Sequence, residues 1–356
     1  MRIAILGVGL IGGSIGLAAR ERAGAHVTGF DPAPGVLEAA RGRGALDATA
    51  ASAAEAAAGA ETVFVAAPVG ALPEAVAEAL AAAGADATVT DVGSTKRAVL
   101  AATADERFIG GHPLAGAETA GVEHARPDLF DGARWYLTPT PRTEGVRYER
   151  LHRLLSALGA RPQALDPATH DKLMAAVSHL PHVVANVLVA QAARALDEEG
   201  EHLPATGPSF RDATRVAGAN TAIWRDIYLS NADALTTALD AAIARLQDVR
   251  DALAAGDGAA VAAWNDAAGD DRRRLLEADL AGGEVRELRV AVPNRPGVVA
   301  ELALALGRAS VNIVDMALYP ASDNASGVVA LWIAGDAAAG EAQALVEELG
   351  LPVARA

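Results

Sequence analysis

His112 is the residue of this chain whose setting best suits proton transfer. It follows a short apolar segment and stands between glycines and a proline, in the run RFIGGHPLAG at 107–116. Such a setting is poor for a core histidine and predicts a side chain presented at the rim of a sheet. Imidazole titrates close to neutral pH, so a histidine there can act as a general base. We therefore expect His112 to handle a proton of a bound substrate.

A glycine-rich turn near the start of the chain predicts a dinucleotide site. An apolar strand, residues 2–7, leads into Gly7-Val-Gly9-Leu-Ile-Gly12, which opens a helix whose free N–H groups can bind a pyrophosphate. Asp31 ends the next strand about 20 residues on, where a carboxylate can bind a ribose 2′-hydroxyl. Because no Arg or Lys adjoins Asp31 to hold a 2′-phosphate, NAD is favoured over NADP. A glycine turn that binds nothing is the alternative.

Further motifs lie where successive predicted strands end. Ala67-Pro68 ends strand 61–67, the segment DVGSTK at 91–96 ends the next strand, and His112 ends the one after. Ligands of open parallel sheets bind at the carboxyl ends of the strands, so these motifs are expected to line one site. The predicted cofactor contacts are Gly7, Gly9, Leu10, Ile11, Gly12, Asp31, Ala67, Pro68 and Ser94.

The order of predicted elements divides the chain into three parts. Strands alternate with Ala-rich helices to residue 165, nearly every segment from Asp166 to about 280 favours helix, and 281–284 reads as a linker. Strands and helices then mix, at 285–292, 297–308, 311–319, 326–334, 338–349 and 352–355. The sequence predicts an α/β fold: an N-terminal Rossmann-type doubly wound parallel sheet (1–165), an all-helical substrate-binding and dimerisation domain (166–280), and a small α+β ferredoxin-like module (285–356).

Two histidines of the predicted helical domain are candidates for substrate binding. His179 and His182 stand in the segment SHLPH at 178–182, and a helix would place them on one face because they are three residues apart. Such a pair can bind a metal, but no cysteine and no ordered set of carboxylates accompanies it. We therefore predict no metal site, and a purely structural role for either histidine stays open.

Cationic side chains form the second group of substrate candidates. Arg211 and Arg215 lie one helical turn apart and can clamp a carboxylate, although a solvated arginine face paired with Asp212 is the alternative. The chain has 30 Lys plus Arg residues, yet its only lysines are Lys96 and Lys172, and both lie inside motif segments. This restriction suggests that these two positions need an ammonium group.

Composition excludes several classes of function. The formal net charge of −15 argues against nucleic acids and acidic membrane surfaces as partners. The absence of cysteine excludes disulfides and thiolate metal sites. Because nothing resembles a signal peptide and no apolar run is expected to span a bilayer, we predict a soluble cytoplasmic protein.

Taken together, these motifs closely resemble the prephenate dehydrogenase family, over roughly residues 1–280. The matching segments are GVGLIGGSIG at 7–16, DVGSTK at 91–96, GGHPLAG at 110–116 with Glu118, SHLPH at 178–182, FRDATR at 210–215 and WRD at 224–226. The turn NRPG at 294–297, which follows a strand, is similar to that of ACT domains, which commonly bind amino acids.

The resemblance implies NAD-dependent oxidative decarboxylation of prephenate to 4-hydroxyphenylpyruvate. It makes His112 the base that takes the ring hydroxyl proton, with Ser94 orienting His112 or the hydroxyl and nicotinamide. Arg215 is then the first candidate to bind the ring carboxylate and His182 the pyruvyl side chain. His179, Lys172 and Arg211 complete the predicted substrate contacts. The apolar faces of the predicted helical domain are expected to form a homodimer, and the likeness of the C-terminal module to ACT domains suggests tyrosine as its effector.

Three other functions remain open on the sequence. Arogenate dehydrogenase performs the same chemistry on a substrate with an amine in place of the ketone. A β-hydroxyacid dehydrogenase shares the succession of sheet and helices but typically relies on a catalytic lysine, for which Lys172 is available. A catalytically silent regulator that binds NAD and an amino acid is the third, and the set of Ser94, His112 and Arg215 argues against it.

Overall fold

A computed structural model gives the fold of the chain. It describes all residues except 117–118, 200–205, 280–283, 294, 296–297, 299–300, 303–304, 307–308, 310, 312, 323–324 and 356. Contacts between α-carbons divide the chain into two compact units, Met1–Ile243 and Ala244–Ala356. Glu118, most of the predicted linker 281–284, and parts of the turn at 294–297 and of the helix at 297–308 lie outside the described residues. The three-domain division at 165 and 280 stays a prediction.

The first unit is built on an eight-stranded sheet with the order β3-β2-β1-β4-β5-β6-β7-β8. The strands pair in parallel except for β6 with β7, which confirms the predicted doubly wound fold. Their central residues are buried on both faces, as expected of a parallel sheet covered by helices. The strands are β1 (Arg2–Leu6), β2 (His26–Phe30), β3 (Ala48–Thr49), β4 (Thr62–Val65), β5 (Thr88–Asp91), β6 (Phe108–Pro113), β7 (Arg134–Thr138) and β8 (Arg161–Ala164).

The antiparallel pair β6–β7 extends the strand that carries His112. The chain leaves β6 at Pro113 and returns beside it, so that Leu114 N–H donates to Arg134 C=O at 2.8 Å. His112 pairs with Tyr136 in this ladder. Pairing with β7 carries β6 through Pro113, so His112 lies inside a buried strand and not after its end.

Helices cover both faces of this sheet, and further helices follow it along the chain. The N-terminal helices are α1 (Leu10–Ala23), α2 (Val36–Gly42), α3 (Ala53–Ala57), α4 (Leu72–Ala82), α5 (Arg97–Ala102) and α6 (Gly145–Ala157). The all-helical region follows as α7 (Pro167–Met174), α8 (Leu180–Glu199), α9 (Pro208–Thr214), α10 (Thr221–Ser230), α11 (Ala232–Ala255) and α12 (Gly258–Asp279). Asp166 caps α7 by accepting the Thr169 N–H, which explains why helix begins there.

Pro181 does not break the helical run that begins at Pro167. Helices α7 and α8 join through a π-helical turn, Ala175–His179, and Pro181 lies in the first turn of α8. Proline cannot donate the usual backbone hydrogen bond to the preceding turn, and the widened π turn directly before it accommodates that loss.

The joined helix also corrects an expectation about membranes. The run Pro167–Arg194 is long and apolar enough to cross a membrane by length and composition, with a mean hydropathy of 1.6. The expectation that no apolar run reaches that length is therefore wrong. The same run holds the buried side chains of His170, Asp171 and His179, which pack within the first unit.

The second unit contains an antiparallel sheet with the order β10-β11-β9-β12. Its strands are β9 (Val285–Pro293), β10 (Ile313–Pro320), β11 (Ser326–Ala334) and β12 (Val353–Arg355), and helix α13 (Asp336–Glu348) follows β11. Leu288, Val290 and Val292 alternate along β9 and are buried in one apolar core with α13. The four predicted strands of this region are thus present.

Candidate active site

The turn after β1 has the shape that a dinucleotide pyrophosphate requires. Gly7 has φ +95°, and a Cβ there would lie 2.5 Å from the Ala66 carbonyl oxygen. A Cβ on Gly12 would lie 2.0 Å from the Gly7 carbonyl oxygen, whereas a Cβ on Gly9 would meet nothing within 4 Å. No side chain caps the N-terminus of α1, so its N–H groups face this open space. The residues present therefore fit a bound dinucleotide.

Asp31, which follows β2, binds the backbone of this turn. Its carboxylate accepts the Val8 N–H and the Ala33 N–H, each at 2.8 Å. A carboxylate held in this way keeps lone pairs for the hydroxyls of a ribose. Leu10 and Ile11 are half-buried in the first turn of α1, Ala67 is half-buried after β4, and Pro68 is exposed beside it.

A buried ion pair holds the backbone beside His112. Lys96 and Asp91 contact each other, and both side chains have 0% exposure. Asp91 Oδ1 accepts the Gly111 N–H at 3.0 Å, and Lys96 Nζ donates to the Gly111 carbonyl oxygen at 2.6 Å. The regular pairing of β5 with β6 includes Ile109 but not Gly111. The ion pair therefore replaces β5 as the hydrogen-bond partner of this part of β6.

His112 is buried and not presented at the rim, which corrects the expectation from its flanking glycines. Its side chain is 9% exposed, because α7 packs over the end of β6. His112 Nδ1 lies 2.9 Å from His170 Nε2, and His170 Nδ1 lies 2.8 Å from Asp171 Oδ1. The three side chains form one hydrogen-bonded row that ends at His112.

The surroundings of His112 favour its neutral form. Burial lowers its pKa well below the usual value, and repulsion from His170 and His179 when those rings are protonated, and from the Lys96 ammonium, acts in the same direction. Burial alone would raise the pKa of Asp171, but hydrogen bonds from His170 and from the Arg97 and Lys96 amides outweigh it and lower that pKa. Near neutral pH the row thus combines an ionised carboxylate with an uncharged His112.

Ser94 lies in the loop after β5 and is half-buried. Among the described residues its hydroxyl makes no hydrogen bond, and the partner of His112 Nδ1 is His170. The predicted role of Ser94 in orienting His112 therefore has no direct contact here, while a role toward bound ligands stays a prediction.

His179 and His182 follow one another on the helical run, as the sequence predicts. Their exposures are 1% and 3%. Within the described part of the chain, Nε2 of each ring is buried without a hydrogen-bond partner. Leaving a buried polar atom unsatisfied costs about 1–3 kcal/mol, so both atoms are poised to bind a ligand. Burial lowers the pKa of His179 to about 4 and also lowers the pKa of His182.

The neighbours of these rings fix where their protons reside. Asn231 Oδ1 accepts from Arg97, so its amide nitrogen donates to His179 Nδ1 at 3.3 Å. Asn186 Oδ1 accepts the Gly218 N–H, so its amide nitrogen donates to His182 Nδ1 at 3.2 Å. Each neutral ring therefore carries its proton on Nε2 and offers an N–H donor to an oxygen atom.

Two aromatic side chains pack against His182 and hold its ring in place. Its ring stacks on Trp224 with 3.5 Å between the centroids and 9° between the planes, and Tyr228 contacts its Nδ1. A cavity of about 370 Å³ opens beside these residues, with Thr221 and Arg225 at its edge. It is large enough for part of a small organic substrate.

The predicted cationic contacts have a different setting. Lys172, Arg211 and Arg215 are exposed, with Arg211 in α9 and Arg215 at its C-terminal end. They are accessible to an anion that enters from solvent, whereas Lys96 is enclosed by its pair with Asp91. Among the described residues, no cluster of His, Asp or Glu side chains is arranged to hold a metal ion.

Sequence reasoning singled out Lys172 but missed the part played by the two residues before it. His170 and Asp171 were given no role, although they make the hydrogen bonds nearest to His112. Asn231, which links Asp171 to His179, was not noticed at all. The adjacent His-Asp pair at the start of the helical region was the available signal, whereas the approach of Asn231 arises only on folding.

Sequence comparisons match two consecutive stretches of the chain to one family. A family model described as "Prephenate dehydrogenase, nucleotide-binding domain" matches residues 15–163, and one described as "Prephenate dehydrogenase, dimerization domain" matches residues 166–264. The prephenate dehydrogenase of Bacillus subtilis (strain 168) is 32% identical over 344 residues, which cover 94% of this chain and 92% of that relative. The cyclohexadienyl dehydrogenase of Zymomonas mobilis is 33% identical over 264 residues, covering 72% of this chain and 89% of that relative.

Solved structures give the same grouping. Prephenate dehydrogenase from A. aeolicus, in complex with hydroxyphenyl propionate and NAD+, is similar with a TM-score of 0.72 and 28% identity, covering 77% of this chain and 98% of that one. Synechocystis arogenate dehydrogenase is similar with a TM-score of 0.67 and 26% identity, covering 77% of this chain and 100% of that one.

Proposed function

The chain belongs to the prephenate dehydrogenase family, and on that premise we propose that it catalyses the NAD-dependent oxidative decarboxylation of prephenate to 4-hydroxyphenylpyruvate. The observation that carries the proposal is the buried, neutral His112 at the carboxyl edge of a nucleotide-binding sheet. A general base needs this combination of a free lone pair and a shielded position.

His112 takes the proton of the ring hydroxyl as the carbon that bears it becomes a carbonyl. The nicotinamide, when bound, accepts the hydride from that carbon. The bond to the ring carboxylate then breaks, carbon dioxide leaves and the ring becomes aromatic. The same oxygen regains a proton, for which protonated His112 is the nearest source, so that no net proton is taken up. Aromatisation drives this last step, and the protein needs no dedicated group for it.

The remaining site residues bind and orient the substrate in this proposal. His179 and His182 offer buried N–H donors, which suit the pyruvyl oxygens of prephenate. Arg215 supplies positive charge for the ring carboxylate, with Arg211 and Lys172 as further cations at the entrance. Such local charge is needed because the chain as a whole carries −15. Ser94 orients the hydroxyl and the nicotinamide, and Asp31 selects NAD over NADP.

The test is an NADH-absorbance assay of the purified chain with prephenate and NAD. Formation of NADH together with 4-hydroxyphenylpyruvate supports the proposal. Absence of both, in a protein that binds NAD and is folded, would overturn it. The same assay with NADP checks the cofactor preference.

Arogenate is the second candidate substrate. The similarity to Synechocystis arogenate dehydrogenase favours it, since that protein is nearly as close in structure as the prephenate dehydrogenase. Arogenate differs from prephenate by an amine in place of the ketone, so it changes the group near His179 and His182 and not the reacting carbon. Comparison of kcat/KM for the two substrates decides between them.

We also propose that the chain forms a homodimer through its helical region. The matching family model is described as a dimerization domain, and α8 leaves apolar side chains exposed, among them Val184, Val187 and Leu188 at 40%, 58% and 39%. Isolated apolar residues at a surface are ordinary, but a row along one helix favours association. Light scattering tests this, with Val187→Glu expected to yield monomers.

Tyrosine is the proposed effector of the ACT-like module at 285–356. A cleft on its sheet, bordered by Arg289, Tyr319 and Val328, offers apolar and cationic groups to an aromatic amino acid. Tyrosine inhibition of the full chain should weaken in Arg289→Ala while turnover without tyrosine is unchanged. Strictly competitive inhibition that this variant leaves intact would instead place tyrosine at the active site. A cytoplasmic location and the lack of nucleic-acid and membrane partners stay predictions.

A further inference from the structure

We infer that Asp171 and His170 are positioning residues that fix the tautomer of His112, so that His112 Nε2 always presents a lone pair to the substrate. The inference rests on the proposed function for its kinetic consequence, but the tautomer itself is a property of the enzyme without substrate. When both imidazole rings are neutral and Asp171 is ionised, only one proton arrangement satisfies the whole row of side chains.

The arrangement starts from Asp171, because both of its carboxylate oxygens accept hydrogen bonds. Its Oδ1 accepts the Lys96 N–H at 2.7 Å and faces His170 Nδ1 at 2.8 Å. Its Oδ2 accepts the Arg97 N–H at 3.0 Å and the Arg97 Nε–H at 3.2 Å. A protonated carboxyl would place its own hydrogen against one of these donors, so Asp171 is ionised.

The proton positions then follow along the row. Because Asp171 accepts, His170 carries a hydrogen on Nδ1, and neutral His170 has a lone pair on Nε2. His112 Nδ1 lies 2.9 Å from that lone pair and must therefore be the donor. Neutral His112 then has its hydrogen on Nδ1 and its lone pair on Nε2. A proton gained at Nε2 makes an imidazolium whose Nδ1–H already points toward Asp171 through His170.

The other charged groups around His112 do not favour the opposite arrangement. Lys96 is engaged by Asp91 and by the Gly111 carbonyl oxygen, so its ammonium is not a donor to the ring. Arg97 is engaged by Asp171, Asn231 and Asp233. Of the remaining rings, His179 is held as the Nε2–H tautomer by Asn231. His112 and His179 are thus neutral histidines of opposite tautomer, the first a base and the second a donor.

The row also explains why a buried base can still accept a proton. Burial disfavours an isolated imidazolium, since it removes the charge from water. The ionised Asp171, one ring away, offsets that cost when the proton arrives. Without Asp171 and His170 the free ring would exchange between tautomers, and the Nε2–H form has no lone pair on Nε2 to accept the substrate proton.

The decisive measurement is ¹⁵N NMR of the full-length enzyme labelled at histidine. Two-bond ¹H–¹⁵N correlations distinguish Nδ1–H from Nε2–H rings, and His112→Gln identifies the His112 signal. We expect the Nδ1–H form for His112 and the Nε2–H form for His179. An Nε2–H ring at His112 in the unaltered enzyme would overturn the inference, and this result requires neither substrate nor turnover.

Kinetics of variants give the second test. His170→Phe keeps a ring of similar size but removes both hydrogen bonds, and we expect kcat to fall by about 10²-fold or more, within the range that a general base supplies, with KM little changed. His170→Gln can accept the His112 proton through its side-chain oxygen and should recover part of the loss. His152→Phe, the same change in α6 away from the site, is the matched control.

The outcomes separate this inference from the proposed function. Absence of prephenate turnover in the unaltered enzyme would contradict the proposed function and leave the NMR test intact. A folded His170→Phe variant that keeps full kcat and an Nδ1–H His112 would contradict the inference alone. If that variant does not fold, the tautomer of the unaltered enzyme still decides.

Discussion

Lys96 and Asp91 form an ion pair with no solvent exposure, and together they bind the backbone N–H and the backbone carbonyl oxygen of Gly111. Strand β5 ends at Asp91, whereas β6 continues to Pro113, so the regular pairing of the two strands stops before Gly111. The two side chains thus supply the hydrogen bonds that β5 does not make to the part of β6 next to His112. The single buried lysine of this site is a backbone support and not a catalytic base.

Lys96→Met should therefore destabilise the fold strongly. Removing one partner leaves a buried, uncompensated carboxylate, which typically costs about 3–5 kcal/mol. The double variant Asp91→Asn/Lys96→Met removes both charges and keeps an acceptor for the Gly111 N–H, so it should recover much of the loss. Urea unfolding measures both free energies. A double variant no more stable than Lys96→Met would contradict this account.

His112→Ala should abolish most turnover without affecting cofactor binding. The loss of a general base lowers kcat by about 10²–10⁴-fold, whereas the turn that binds the dinucleotide lies on β1 and α1. Steady-state assays give kcat, and fluorescence titration gives the Kd for NADH. His152→Ala is the control, since His152 lies on α6. Near-normal turnover in His112→Ala would rule out the base assignment.

Acid should destabilise the protein before its carboxylates titrate. Burial lowers the pKa of His112 and His182, and that of His179 to about 4, so the unfolded chain binds more protons than the folded one below the usual histidine value of 6.5. The stability that the neutral histidines contribute is then fully present above pH 6.5 and is lost as the pH falls toward 4. Urea midpoints across this range measure the slope, which His179→Asn should reduce. Constant stability between these values would contradict the assignment.

The pH dependence of activity has the same origin. His112 acts as a base only when neutral, and its lowered pKa keeps it neutral below the usual range. The acid limb of kcat/KM should therefore lie below the pH at which a free histidine titrates, about 6.5. An acid limb above that value would show that another group limits the rate.

Arg215→Ala should act chiefly on substrate binding. A cation that holds a carboxylate equally in substrate and transition state changes KM more than kcat. We expect the KM for prephenate to rise by about 10-fold or more, as loss of a charge-assisted hydrogen bond implies, with the KM for NAD unchanged. Arg150→Ala, an exposed position of α6, controls for the change in net charge. A fall in kcat without a rise in KM would show that Arg215 acts in catalysis and not in substrate binding.

Asp31→Ser tests the cofactor preference. The carboxylate can bind ribose hydroxyls and repels a 2′-phosphate, whereas serine removes the charge and keeps one acceptor for the Val8 or Ala33 N–H. The ratio of kcat/KM for NAD to that for NADP should fall. An unchanged ratio would mean that another residue discriminates between the two.

The motifs at strand ends were predictable because their positions follow from the pattern of the chain itself. Alternating strands and helices place the carboxyl ends of β1, β4, β5 and β6 at one edge of the sheet, and Asp31 and His112 come with them. The burial of His112 was not predictable in this way. It depends on the antiparallel return of β7 and on the packing of α7, which lie more than twenty and fifty residues away in sequence.

Local sequence thus determined the fold class, the dinucleotide turn, the family and the residue types of the site. The tertiary structure decided which nitrogen of each histidine carries a proton, because that depends on partners such as Asn231 and Asp171 that meet only on folding. It also showed what the ammonium group predicted to be needed at position 96 does, because Lys96 pairs with Asp91 and binds the Gly111 carbonyl oxygen. Hydrogen-bond direction is a property of pairs in space, and no spacing along a chain encodes it.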